Sequence, residues 1–102
     1  MSIKIRTKRM QGHTQVRTLI AHPMETGRNK NEETGELIPA LYIQELTVRH
    51  KGKIVASIVL GPSISKNPYF AFQLKGGESG DEIIISWLDN KGNSDTEITA
   101  IK

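Results

Sequence analysis

The most constraining feature of this chain is a period-2 alternation of β-branched or aromatic residues with polar ones. Ile3, Ile5 and Thr7 alternate with Lys4, Arg6 and Lys8, and Phe70, Phe72 and Leu74 alternate with Tyr69, Ala71 and Gln73. Successive side chains of a strand point to opposite faces, so each segment has one face to bury and one to leave in water. The pattern predicts strands over residues 3–8, 15–22, 41–50, 54–60, 69–75, 82–88 and 95–101. Pro23 stops the second strand, because proline cannot donate to a ladder. Hairpin turns are expected at His50-Lys51-Gly52-Lys53 and Asp89-Asn90-Lys91-Gly92. Gly61-Pro62, the Ser65-Lys66-Asn67-Pro68 turn and the loop Gly76 to Asp81 separate the remaining strands. Residues 24–40 read as a long polar loop, and loops of that length are more often functional than incidental.

Seven short strands without a helix, in 102 residues, predict one domain. Its fold class is all-β, an immunoglobulin-like antiparallel β-sandwich of about seven strands. The Cys…Trp…Cys marker of antibody domains is missing. The chain has no cysteine, which excludes an internal disulfide, a Cys-ligated metal site and a cysteine nucleophile. Purely apolar runs reach three to four residues, too short for a membrane-spanning helix. Fourteen Lys and Arg oppose eleven Asp and Glu, giving +3. So small an excess, with five aromatic residues, does not favour nucleic acid. Four cations lie within the first nine residues, but polar residues follow them. No secretory signal and no twin-arginine pair is read. On composition alone the expected compartment is cytoplasmic, or one reached by means that the chain does not carry.

A two-layer sandwich needs one apolar face per strand, and two strands carry more. In residues 54–60, Ile54, Ala56, Ile58 and Leu60 form the expected core face, which leaves Val55 and Val59 outward. In residues 83–88, Ile83, Ile85 and Trp87 face the core, and Ile84 and Leu88 face out. A contiguous apolar outer face is unusual for a soluble monomer, and covering it gains about 25 cal/mol per Å2. Val55, Val59, Ile84 and Leu88 are therefore expected at an interface with a permanent protein partner. The competing expectation is that the long loop, with Leu37 and Ile38, folds back over them.

Residues for chemistry are sparse. His13, His22 and His50 lack the i,i+2 and i,i+4 spacings of metal ligands. Gly61-Pro62-Ser63-Ile64-Ser65 lacks the second glycine of a serine nucleophile elbow. Gly76-Gly77-Glu78-Ser79-Gly80 lacks the lysine and helix of a phosphate loop and reads as a strand connection needing positive φ. Glu25, Glu32, Glu33 and Glu36 lack the alternating ligand series of a calcium loop. No catalytic, cofactor or metal site is assigned. The cationic stripe Lys4, Arg6 and Lys8 has two readings: protection of an edge strand, which is preferred, or docking of an acidic partner.

Several stretches taken together resemble the SoxZ family, the smaller subunit of the sulfur-carrier complex of bacterial thiosulfate oxidation. They are Ser2-Ile3-Lys4-Ile5-Arg6-Thr7-Lys8-Arg9, His22-Pro23-Met24-Glu25-Thr26-Gly27, Ile38-Pro39-Ala40 and Tyr42-Ile43-Gln44-Glu45. Gly61-Pro62, Ser65-Lys66-Asn67-Pro68-Tyr69, Lys75-Gly76-Gly77 and Trp87-Leu88-Asp89-Asn90-Lys91-Gly92 complete the set. The resemblance implies a non-catalytic, immunoglobulin-like subunit paired with SoxY, whose C-terminal arm carries sulfur intermediates on a cysteine. A second thiol beside that cysteine would capture it, which fits a cysteine-free partner. The resemblance also implies a periplasmic location, reached by co-export with a signal-bearing partner, and transient docking to sulfur-oxidation enzymes. His22, Met24, Lys66, Asn67 and Tyr69 are possible contact residues in the loops. A free-standing immunoglobulin-like binding module and a small hydrolase or metal protein are the alternatives.

Overall fold

The computed structural model describes residues 2–102. It is all-β: β1 (Ile3–Met10), β2 (His13–Ile20), β3 (Ile43–His50), β4 (Lys53–Val59), β5 (Tyr69–Lys75), β6 (Glu82–Asp89) and β7 (Ser94–Ala100). Two antiparallel sheets face each other, one in the order β1-β2-β5 and the other β4-β3-β6-β7. This is an immunoglobulin-like sandwich in which the fourth strand joins the sheet of the third and sixth.

The expected strands all form, with local corrections. β1 and β2 close around Gln11-Gly12, pairing Met10 with His13, so the hairpin is longer than the alternation alone suggests. β2 ends at Ile20, because His22 turns inward to accept other partners. Leu41 precedes β3 and instead pairs with Glu25 across the base of the long loop.

One core is shared by both sheets. Val16, Ile20, Ile43, Leu46, Ile83 and Ile85 are almost fully buried, with Trp87 and Ile101 beside them. Each such side chain stabilises the fold by about 1.5–3 kcal/mol relative to exposure. The inner faces follow the expected parity: Ile3, Ile5 and Thr7 from β1, and Phe70, Phe72 and Leu74 from β5.

The two flanks of the sandwich differ. β1 and β7 touch, and the Lys102 backbone N–H donates to Thr7 Oγ1 at 3.2 Å, closing one side. Between β4 and β5 the other side stays open. A cleft of about 500 Å3 runs in there, lined by Val48, Val55, Ala56, Phe72, Leu74 and Ile83.

Residues 24–40 form an irregular hairpin. Glu25 and Leu41 exchange backbone hydrogen bonds at its base, Ile38 N–H donates to Asn29 at 2.8 Å, and Asn31 N–H donates to Glu36 at 2.8 Å. Leu37, near its tip, is 60% exposed. The hairpin spends its hydrogen bonds on itself.

Candidate partner interface

The outward face of the four-stranded sheet is set by cross-strand register. Arg49 of β3 stands opposite Ile54 of β4 and Ile84 of β6, and Ile84 stands opposite Ile98 of β7. One row thus crosses all four strands as Ile54, Arg49, Ile84 and Ile98. A second row, Ser57, Thr47, Ser86 and Thr96, offers four hydroxyls. A third is Val59, Glu45, Leu88 and Ser94. Two apolar-rich rows flank a hydroxyl row, and the twelve residues include two charges, Arg49 and Glu45. Depletion of charge is the compositional mark of interface cores.

The exposures are high for aliphatic side chains: Val59 81%, Ile54 59%, Ile98 54% and Leu88 39%. Ile84 is half-buried between its row neighbours. The long loop therefore does not cover this face, and that expectation fails because the loop closes on itself. β4 is an edge strand with no charge or proline from Ile54 to Val59. Such edges are normally blunted or covered.

One expected interface residue is displaced. The β3–β4 register shifts between Val48 and Arg49, so Val55 is an extra, bulged residue. A bulge re-aims the side chains around it. Val55 lines the cleft between the sheets instead of the outer face, and Ile54 takes the outward position that alternation assigned to the core. Ile54 and Ile98 are the residues that sequence reasoning missed. Ile98 was findable, because in the expected strand 95–101 Ile98 and Ile101 have opposite parity and cannot both face inward.

The contact-loop residues divide. His22 and Met24 are buried and serve the base of the long loop. His22 Nδ1 accepts the Met24 backbone N–H at 3.0 Å, so its proton sits on Nε2, which donates to Asp89 Oδ2 at 3.2 Å. The imidazole meets Trp87 edge-on, with ring centroids 5.1 Å apart. Asn67 Oδ1 accepts the His22 backbone N–H, and Asn67 N–H donates to the His22 carbonyl. Asn90 bridges Tyr42 N–H and the Ala40 carbonyl. His22 and Met24 are thus corrected from contact residues to internal anchors, because their side chains have no surface to offer. Lys66 and Tyr69 are exposed.

Asp89 is the hub of this pole. It accepts from Asn93 N–H at 2.8 Å, Lys91 N–H at 3.0 Å, Asn93 Nδ2 at 3.0 Å and His22. Burial pushes its carboxyl up, but the hydrogen bonds from Asn93, His22 and Lys91 outweigh that and hold it below the ordinary aspartate value. At the opposite end, the hydrogen bond from His50 at 2.8 Å lowers Asp81, with Glu78 N–H and the Lys51 charge adding to it. Among the described residues, no group of three or more His, Cys, Asp or Glu side chains is arranged to hold a metal ion.

Fold and surface together define a class: an immunoglobulin-like sandwich with an uncovered apolar sheet face and edge. The family model described as "Sulphur oxidation protein SoxZ" matches residues 3–100, and the chain belongs to that family. It is thereby a protein of sulfur oxidation. No individually curated protein matches the chain.

Proposed function

We propose that this chain is the non-catalytic partner subunit of a protein-bound sulfur carrier. Its companion would be a SoxY-like subunit whose arm cysteine holds the sulfur intermediates of thiosulfate oxidation. The supporting observation is the outward face of the four-stranded sheet, where Ile54, Val59, Leu88 and Ile98 stand exposed beside an unblunted β4 edge. Family membership supports the sulfur-oxidation role. The absence of cysteine suits a body that must not compete for the carrier thiol.

The division of labour is physical. A rigid body beneath a tethered arm raises the thiol's effective concentration at each enzyme docked transiently on the complex. The subunit contributes a surface and no bond-making group. Its compartment on this reading is the periplasm, reached with a signal-bearing companion.

The test is association with a SoxY-like cysteine-bearing subunit. Val59→Asp changes an exposed position, so the free chain should fold normally. In a complex it strands a carboxylate against apolar surface, at a cost of several kcal/mol. Ile84→Asp should weaken the complex similarly, with some cost to folding because Ile84 is half-buried. Size-exclusion chromatography should show the wild-type pair co-eluting and the Val59→Asp pair separating. Undisturbed co-elution of both variants contradicts the assignment of this face. A wild-type chain that stays monomeric beside the companion contradicts the function.

A further inference from the structure

The three-stranded sheet has an outward face of the opposite character. Its rows are Lys4-Leu19-Tyr69, Arg6-Arg17-Ala71, Lys8-Gln15-Gln73 and Met10-His13-Lys75. Five of these residues are lysine or arginine and none is acidic, although the chain has eleven acids. The acids lie in the loops and on the four-stranded sheet, so a net charge of +3 conceals a strongly polarised molecule.

Edge protection accounts for Lys4, Arg6 and Lys8, because β1 is an edge strand. It does not account for Arg17, which stands on the central strand β2 directly opposite Arg6. Like charges directly opposite on a sheet oppose folding. Neither guanidinium has a carboxylate within ion-pair distance among the described residues. Two adjacent forks suit bidentate recognition of carboxylates, which would relieve their repulsion. Leu19 and Tyr69, both exposed at the end of the face, add the apolar and aromatic contact typical of protein interfaces.

From this arrangement we infer that the outward face of β1-β2-β5 is a docking surface for an acidic protein surface. It is separate from the companion-binding face and remains free when that face is covered. A protein fits better than nucleic acid, because the rings of the face, Tyr69 and His13, stand in its two end rows and leave no continuous stacking platform. It fits better than a membrane, because the exposed apolar side chains of the face, Met10, Leu19 and Tyr69, are split between its two ends and form no insertable patch.

Labelled poly-L-glutamate is the probe, added to the full chain at low salt and followed by fluorescence anisotropy and amide NMR shifts. Shifts should centre on Arg6, Arg17 and Lys75, and binding should weaken steeply with added salt. Arg6→Gln with Arg17→Gln should weaken binding at least fivefold, while the melting temperature holds or rises as the repulsion disappears. Lys4→Gln with Lys8→Gln provides a second reading away from the arginine pair. Lys30→Gln, in the long loop outside this sheet, should have no effect. A loss under fivefold in both pairs of substitutions overturns the inference, as do shifts centred elsewhere. Displacement of polyglutamate by duplex DNA or phosphatidylglycerol vesicles at equal charge concentration also overturns it.

Discussion

Asp89 draws four hydrogen bonds from three residues at the pole where β2 and β6 end and β3 begins. A carboxyl that is low in the folded state and ordinary in the unfolded chain stabilises the fold above about pH 4, the unfolded value. That contribution disappears as pH falls toward the folded value. Asp81 acts in the same direction. Urea midpoints should therefore drop as pH is lowered below about 4. Asp89→Asn should cost about 3 kcal/mol at pH 7, since an amide cannot accept four donors, and should lose less on acidification than wild type. An equal acid loss in both proteins contradicts the role given to this carboxylate. Gly77 makes a second test. Its φ is +87°, and a Cβ there would lie 2.6 Å from Thr14 Oγ1 and 3.2 Å from Ile101 Cδ1. The Thr14 hydroxyl donates to the Gly76 carbonyl at 2.8 Å, so it cannot retreat freely. Gly77→Ala should lower stability by about 2–3 kcal/mol in denaturant titration, from combined strain and overpacking. A cost under 1 kcal/mol contradicts this packing. Neither Asp89 nor Gly77 declared its part in the sequence, because their partners lie 67 and 63 residues away for His22 and Thr14.

Alternation reveals strands wherever register is undisturbed, and here it places all seven within a few residues. It fails where a single extra residue reverses parity. Val55 is that residue, and it exchanges the facing of Ile54 without any local signature beyond an apolar run. The long loop was legible as a connection but not as a hairpin, since its internal bonds are irregular and lack periodicity. Its independence from the core yields a prediction. Replacing residues 29–38 with a two-residue turn removes an arm that bonds chiefly to itself, while His22, Met24 and Asn90 keep the base intact. Stability should change by no more than about 1 kcal/mol, the scale of loop-closure entropy. Unfolding of the shortened chain shows instead that the arm is part of the core. Three of the stretches that carried the family likeness, His22 to Gly27, Asn67-Pro68 and Trp87 to Gly92, meet at this pole. Leu88 apart, they build the scaffold and do not form the surface assigned to partners.

The whole molecule has two unlike faces on one core. The four-stranded sheet presents aliphatic rows with two charges, and the three-stranded sheet presents five cations and no acid. One flank is closed by β1 against β7, and the other opens into the apolar cleft beside β4. On the proposed reading this surface is completed by burial against a companion protein, which would also raise stability by mass action. The most direct measurement is amide hydrogen exchange of the full chain, alone and with the proposed cysteine-bearing companion. Slowed exchange in β4 and at Ile84, Leu88 and Ile98, with the face of β1 and β2 unchanged, is the predicted result. Protection absent from β4, or concentrated on the cationic sheet, contradicts it.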